Sequence, residues 1–415
     1  MSIMSDLRSL TPKQRSAVLA SYLGWTLDAF DFFIMVFVLK DIANEFTTGV
    51  SAVAEALFVT LALRPVGALI FGLAADRFGR RPVLMVDVLL YSAVEFASGF
   101  APSLTALLIL RAIYGIAMGG EWGVGASLAM ETIPAKTRGV ISGLLQAGYP
   151  SGYLLASVAN WLLLDHIGWR GMFMVGALPA LLVLYIRRQV DESPAFVARR
   201  QASTKIGIGA ILQRHLGLLV FAVLLMTAFN SFSHGTQDLY PTFLKVQLQF
   251  DTQTISAIAI VYNIGAIVGG LAFGALSQRI GRRWAIIIAA LLALPVIPLW
   301  AFSTSPVTLA IGAFLMQVAV QGAWGVIPVY LNELSPDAIR GTFPGVVYQL
   351  GNLLASKNGV FQAQYAEANN NNYALVLAWT VGVVAVVIAV LTLFGRESRG
   401  AAFAHDEVAP PLASK

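Results

Sequence analysis

The stretch GLAADRFGRR, residues 72–81, returns 202 residues later as GALSQRIGRR, residues 274–283. The same offset carries ETIPAKTRG (131–139) onto ELSPDAIRG (333–341), GEWGV (120–124) onto GAWGV (322–326), and DAFD (28–31) onto NSFS (230–233). One offset serving four separated stretches marks an internal duplication, two copies of one unit. What the unit is follows from its solvent. Apolar residues make up 57% of the 415, charged residues only 12%, far too few to cover a water-facing surface. Lipid must supply the rest of the environment.

Apolar stretches long enough to cross a bilayer recur near 16–39, 51–74, 82–101, 103–130, 139–164, 169–187, 215–244, 252–276, 284–302, 305–331, 340–363 and 373–394. The expectation is an all-α membrane protein of twelve transmembrane helices in two pseudo-symmetric six-helix bundles. The bundles span 1–188 and 214–395, a basic cytoplasmic linker spans 189–213, and a cytoplasmic tail spans 396–415. The first span is too long for a cleavable signal and carries Asp28 and Asp31. With both termini inside, 21 of the 27 Lys and Arg residues fall in cytoplasmic segments, among them Lys205 and Lys415. That asymmetry follows the positive-inside rule and locates the net charge of +5 without a nucleic-acid surface. Zero cysteines exclude disulfides and thiolate chemistry, and four histidines leave little for a dedicated metal site. No phosphate-cradling GxxxxGK[ST] loop is present. Neither cofactor nor metal is expected, nor a nucleophile–base constellation of an enzyme.

The duplicated loop reads as a tight charged turn. Gly72 lets helices approach, Gly79 permits the turn, and Asp76 suits a neighbouring helix N-terminus. Arg77, Arg80 and Arg81 can bear on carboxylates such as Glu131. With Arg138 and the second-copy set Arg279, Arg282, Arg283, Glu333 and Arg340, these residues are candidates for a cytoplasmic gate. The loop resembles the GxxxDRxGRR signature of the major facilitator superfamily, which implies the major facilitator fold. Gln278 stands where the pattern asks for the second acid, so the C-terminal side of the gate is expected to be weaker.

The seventh span holds NSFSHGTQDLYPT, residues 230–242. Asn230, His234 and Asp238 repeat every four residues, with Ser233 and Gln237 beside them, so they share one helix face. A stripe with a histidine and a carboxylate must line the bundle interior or a watery path. Gly235 and Pro241 are expected to break the helix. The stretch resembles the N-x-x-[S/T]-H-x-[S/T]-Q-D-x-x-x-T signature of Jen-type lactate and pyruvate proton symporters, related to the sialate:proton symporters. The resemblance implies substrate and proton handling by Asn230, His234, Gln237 and Asp238.

Asp28 and Asp31, one turn apart at mid-depth, cannot both ionise easily in a low dielectric, which suits a proton carrier. They resemble the D-x-x-D of aromatic-acid and sialate symporters, with Ala29 where a Gly is usual. Arg64, Arg111 and Lys357 are the permanent intramembrane cations. Arg111 is the first choice for a substrate carboxylate because guanidinium binds it bidentately, with a structural pair to Asp31 or Glu121 as the alternative. For Arg64 a structural pair is favoured. Gln146 and Tyr149 in span five, and Tyr348 and Gln349 in span eleven, offer uncharged donors and aromatic walls. Asp87 and Glu95 receive no role. The function expected is proton-coupled symport of a small monocarboxylate by alternating access, by a monomer in the cell membrane. Another organic anion is the alternative: sialic acid, an aromatic acid or a dicarboxylate. A carboxylate sensor that moves nothing is the more distant one.

Overall fold

A computed structural model describes residues 8–201 and 213–403. Residues 202–212 of the expected linker, including Lys205, and the end of the tail, including Lys415, lie outside the described residues.

Every regular element among the described residues is a helix, and the helices make twelve passes. These are α1 (Pro12–Phe37), α2 (Val50–Phe78), α3 (Arg80–Ser98), α4 (Leu104–Thr132), α5 (Arg138–Gln146 continued to 167), α6 (from 169, then Ala180–Gln189), α7 (Leu216–Gln237), α8 (Thr252–Ile280), α9 (Arg282–Ala301), α10 (Pro306–Trp324 and Ile327–Leu334), α11 (Phe343–Ala355 and Asn358–Ala368) and α12 (Tyr373–Phe394). Eight of the helices are individually long and apolar enough to cross a membrane. The other passes are broken or charged: α5 and α6 meet at Gly168, whose φ of 64° breaks the helix, and α3 carries buried Asp87 and Glu95. Large apolar side chains such as Trp161, Phe361, Trp379 and Phe394 stand exposed around the bundle, as lipid-facing residues do.

Glycines set the two crossings that the duplicated loop serves. Gly79 and Gly281 end α2 and α8 at φ 109° and 98°, a region open to glycine and costly to other residues. Gly72 and Gly274 bring the halves together. A methyl group on Gly72 would fall 2.6 Å from Thr342 Cα, and one on Gly274 would fall 2.7 Å from the Gly139 carbonyl oxygen.

The seventh pass departs from expectation. α7 runs unbroken through Gly235 to Gln237, because Gly235 is the contact point where Thr380, Asn358 and Gln362 pack closely. The break comes after Asp238. Pro241 starts the short turn Tyr240–Thr242, which a π-helical turn, Phe243–Gln247, follows.

Candidate functional site

The basic face, where the duplicated loops lie, is closed by bonds between the halves. Asp76 accepts from the backbone N–H groups of Gly341 (2.9 Å) and Thr342 (3.0 Å) and from the Thr342 hydroxyl (2.7 Å). A carboxylate thus sits on the entry to α11, where unpaired amides and the helix dipole favour it. Gln278 occupies the mirrored place, accepting from Gly139 N and donating to the Ala135 carbonyl, each at 3.0 Å. Ser127 donates to the Arg340 carbonyl (2.7 Å), and Ser142 accepts from Val329 N (3.0 Å).

Behind this clasp, each half locks its own loop. Arg80 reaches Glu131 at 2.9 Å, and Arg282 grips Glu333 with two nitrogens at 2.9 Å each; all four side chains are buried. Arg81 and Arg283 bear on backbone carbonyls rather than carboxylates, Arg81 on Arg187 and Arg283 on Thr392. Arg77 lies exposed over the Phe78 ring, and Arg279 offers its carbonyl to Arg399. Arg138 and Arg340 come from opposite halves and sandwich Phe403, with guanidinium carbons 3.5 and 3.9 Å from the ring centroid.

Two carboxylates of this face went unnoticed in the sequence. Glu192 accepts from Arg80 N, and Glu397 from Arg282 N, each at 2.9 Å. They cap α3 and α9, and their space explains the glycines before those helices. A methyl group on Gly79 would lie 2.2 Å from Glu192, and one on Gly281 2.7 Å from Glu397. The following serines, Ser193 and Ser398, donate to Glu131 and Glu333. The signal was a repeated Glu-Ser pair, spaced by 205 rather than 202 residues. Burial pushes the Glu397 carboxyl up, but the N–H groups of Arg282, Arg399, Arg283 and Ser398 outweigh it and hold the group below the ordinary range. At Glu192 burial prevails and raises the group.

Towards the opposite face, a cavity of about 260 Å³ is lined by Phe58, Leu61, His234, Asp238, Asn352 and Ser356 among others. His234 Nδ1 lies 3.1 Å from Asp238 Oδ2, and its Nε2 lies 3.1 Å from Asn352 Oδ1. With both ring nitrogens facing oxygen, the arrangement suits the doubly protonated ring, or a neutral ring whose partner amide is turned. Gln237 donates to Gln317 (2.9 Å) on α10. Asn230 is buried and donates to the Met226 carbonyl of its own helix. Lys357 is exposed at the break inside α11.

One to two turns inward, aromatic rings join the halves. Tyr348 meets Trp122 at 4.7 Å, Trp324 at 5.6 Å and Trp25 at 6.4 Å between ring centroids, while Trp25 meets Tyr149 at 5.6 Å. Near them in the chain, Gln349 has both amide atoms buried without a partner, and Gln146 its oxygen.

The buried cations are placed differently from expectation. Arg111 is committed to Glu95 (2.5 Å) and Ser98 (2.7 Å), with its guanidinium 4.2 Å from the Tyr114 ring centroid. The structural pair expected as the alternative to a substrate role is thus present, with a different partner. The partner is an acid of α3 that had been left without a role, not Asp31 or Glu121; both bonds fall on one nitrogen, and the Nε is buried without a partner. Arg64 has only one contact of this kind, Asp28 at 3.4 Å, and its Nε is unpartnered. It also lies within electrostatic range of Tyr149, Tyr348 and His234. Asp31 is fully buried with neither oxygen bonded. Among the described residues no group of three or more His, Asp or Glu side chains could hold a metal ion.

Two pseudo-symmetric sets of membrane helices, clasped at one face and polar where they meet, define a multi-pass membrane transporter. The chain belongs to the sugar (and other) transporter family, whose model matches residues 11–206 and 216–400. It is therefore a transporter and not an enzyme. Its fold is that of the major facilitator superfamily: the proton:xylose symporter XylE, in a structure with 6-bromo-6-deoxy-D-glucose, superposes with a TM-score of 0.80 at 21% identity over 95% of this chain and 98% of that one. A probable 4-methylmuconolactone transporter of Cupriavidus pinatubonensis is 30% identical over 96% of both chains. The sialic acid transporter NanX of Escherichia coli is 27% identical over 83% of this chain and 85% of its own. A carboxylic acid transporter protein homolog of Saccharomyces cerevisiae is 26% identical over 99% of this chain and 72% of its own.

Proposed function

We propose that the chain is a proton-coupled symporter of small monocarboxylates, lactate and pyruvate foremost, working by alternating access. The observation that carries the reading is the His234–Asp238 pair at the cavity, tied to Asn352 on the neighbouring pass and set within the seventh-span signature. Asp28, Asp31, His234 and Asp238 are the candidates for proton coupling. Arg111, Asn230, His234, Gln237, Gln146, Tyr149, Tyr348 and Gln349 are the candidates for substrate, and Arg64, held by one 3.4 Å contact, is favoured over Arg111 as the cation that meets the carboxylate. An incoming anion would compete with Asp28 for Arg64, so Asp28 would gain a proton as it loses its partner. That exchange binds substrate and proton together and leaves the loaded site near neutral.

The proposed domains remain a bundle at 1–188, a linker at 189–213, a second bundle at 214–395 and a tail at 396–415. The proposed setting is the inner membrane of the cell, with the basic face and both termini cytoplasmic and the protein monomeric. The bonds across the basic face then belong to a state closed towards the cytoplasm.

A second reading, a larger unsaturated or aromatic acid as substrate, is favoured by the aromatic wall of Trp25, Trp122, Trp324, Tyr149 and Tyr348. The relatives named for 4-methylmuconolactone, cis,cis-muconate and niacin agree with it. The test is uptake of labelled lactate into proteoliposomes under an inward proton gradient, with pyruvate, benzoate, muconate, succinate and sialic acid as competitors. Stimulation by the gradient and competition by pyruvate alone are the expected result. Uptake indifferent to the gradient refutes symport, and competition by benzoate or muconate but not pyruvate selects the second reading.

A further inference from the structure

Glu121 on α4 is fully buried, and neither carboxylate oxygen has a hydrogen-bond partner. Space for it is built into the facing helix: a methyl group on Gly24 of α1 would lie 2.2 Å from Oε1. Beside it lies a cavity of about 10 Å³ lined by Ser21, Trp25, Glu121, Trp122, Gly125, Ala126 and Leu145, the least volume that admits one water molecule. Trp25 lines the same cavity, and its indole N–H is buried without an acceptor. A donor and an acceptor thus flank a space of water size, and one bridging water satisfies both.

The internal repeat shows that the fold does not need this acid. At the 202-residue offset Glu121 corresponds to Ala323 and Gly24 to Met226, while Ser21 and Trp25 correspond to Val223 and Thr227. Bulk is exchanged between the helix pairs, and the second copy is apolar where the first holds a carboxyl, a hydroxyl and an indole N–H. An unpaired buried carboxylate costs several kcal/mol, and packing alone would have favoured the apolar solution. The charged groups around Glu121 are Asp28 on α1, Arg64 on α2 and Asp87 on α3, with the Tyr91 hydroxyl also on α3. Arg64 is the single cation in this set. It cannot balance Asp28, Asp87 and Glu121 all ionised, so their protons must be shared out.

We propose that Glu121 is a further proton-coupling residue, exchanging one proton per cycle and reporting its state, through water, to the Trp25 ring of the aromatic wall. The proposal rests on the reading of the chain as a proton symporter. The proton adds to a carboxylate oxygen when the cavity faces the acidic side and leaves when the site faces the other. The ionised form draws the Trp25 N–H through the water, and the neutral form releases it. Trp25 touches Tyr149 and Tyr348, so the state of Glu121 bears on the substrate wall.

The experiment compares the full chain and its Glu121→Gln and Trp25→Phe variants in proteoliposomes with labelled lactate. Gradient-driven accumulation and gradient-free counterflow are each measured across pH. For E121Q, accumulation is expected to fall tenfold or more relative to counterflow, and the pH dependence of counterflow to flatten. For W25F, which removes the N–H while keeping a smaller aromatic ring, the pH midpoint of counterflow should rise by about half a pH unit, because the ionised carboxylate loses a donor. W25F decides the matter if E121Q does not fold. Accumulation by E121Q equal to wild type, or a W25F profile that superposes on wild type, overturns the proposal while leaving symport intact. Wild-type accumulation indifferent to the gradient overturns both.

Discussion

Replacing Asp76 with Asn removes one charge from the clasp at the basic face. Asp76 accepts three bonds from the opposite half, two of them from backbone amides at the entry to α11. Bonds to a charged acceptor contribute about 1.5–3 kcal/mol each, against about 1 kcal/mol for neutral ones. Asn retains one acceptor oxygen and turns an NH₂ towards donors, so a loss of about 3 kcal/mol is expected for the closed state. That multiplies the ratio of open to closed molecules about a hundredfold. Gln278→Ala removes only two neutral bonds between the halves, costing roughly 2 kcal/mol and moving the ratio about fivefold less. In D76N the lock inside the first half loses the Arg80–Asp76 pair (3.0 Å) but keeps Arg80–Glu131. The chain has no cysteine, so Lys136→Cys and Ala338→Cys, at repeat-equivalent places on the two halves, accept spin labels without other changes. Pulsed dipolar distances in lipid nanodiscs should broaden to longer values in D76N, and less in Q278A. An unchanged distribution in D76N, or an equal displacement by Q278A, refutes the reasoning that charge makes the first clasp stronger.

Phe403→Ala, read by the same labels, should open the face about tenfold, because two guanidinium–ring contacts at about 0.5–1 kcal/mol each are lost; a distance distribution identical to wild type refutes it. His234→Ala and Asp238→Asn should each abolish uptake while leaving the yield and melting temperature of purified protein unchanged. Arg111→Gln should lower the melting temperature sharply, since breaking a buried pair costs about 3–5 kcal/mol. Arg64→Gln should cost less stability and abolish uptake, and normal uptake by R64Q would return the substrate role to another residue. Glu397→Gln should lower the melting temperature at neutral pH, with the difference vanishing as acid protonates the wild-type group, because a lowered carboxyl stabilises only while ionised. Glu192 is raised, so its ionisation opposes folding, and E192Q should gain relative to wild type as pH rises through the carboxylate range.

The passes were legible because lipid imposes one requirement on every segment, about 20 apolar residues with the backbone satisfied internally. Even the break between α5 and α6 falls within the gap between the expected spans, at Gly168. Pairing was less legible. Arg111 meets Glu95 sixteen residues earlier, on a helix packed beside its own, and no spacing rule within a single helix announces such a pair. Glu192 and Glu397 escaped for a simpler reason, their offset differing by three residues from that of the helices they cap. At Gly235 a local rule pointed to a break, but tertiary packing against Thr380 and Asn358 kept the helix whole.

The repeat separates what the fold needs from what transport needs. Where both halves carry the same chemistry, as in Arg80–Glu131 and Arg282–Glu333 or the caps Glu192 and Glu397, the residues hold the basic face together. Where the halves differ, the difference costs stability: Asp28, Asp31 and Glu121 are acids in the first half where the second has Asn230, Ser233 and Ala323. A symmetric scaffold would fold as well with the cheaper set in both copies. The acids therefore gather where Arg64 is the loosely held cation, and His234 faces them from the other half. In the proposed alternating-access cycle, rocking the halves would change the distance between these two groups more than any distance within one half. A proton or a carboxylate placed between them is thus felt by the motion itself, which is the physical requirement for coupling the two.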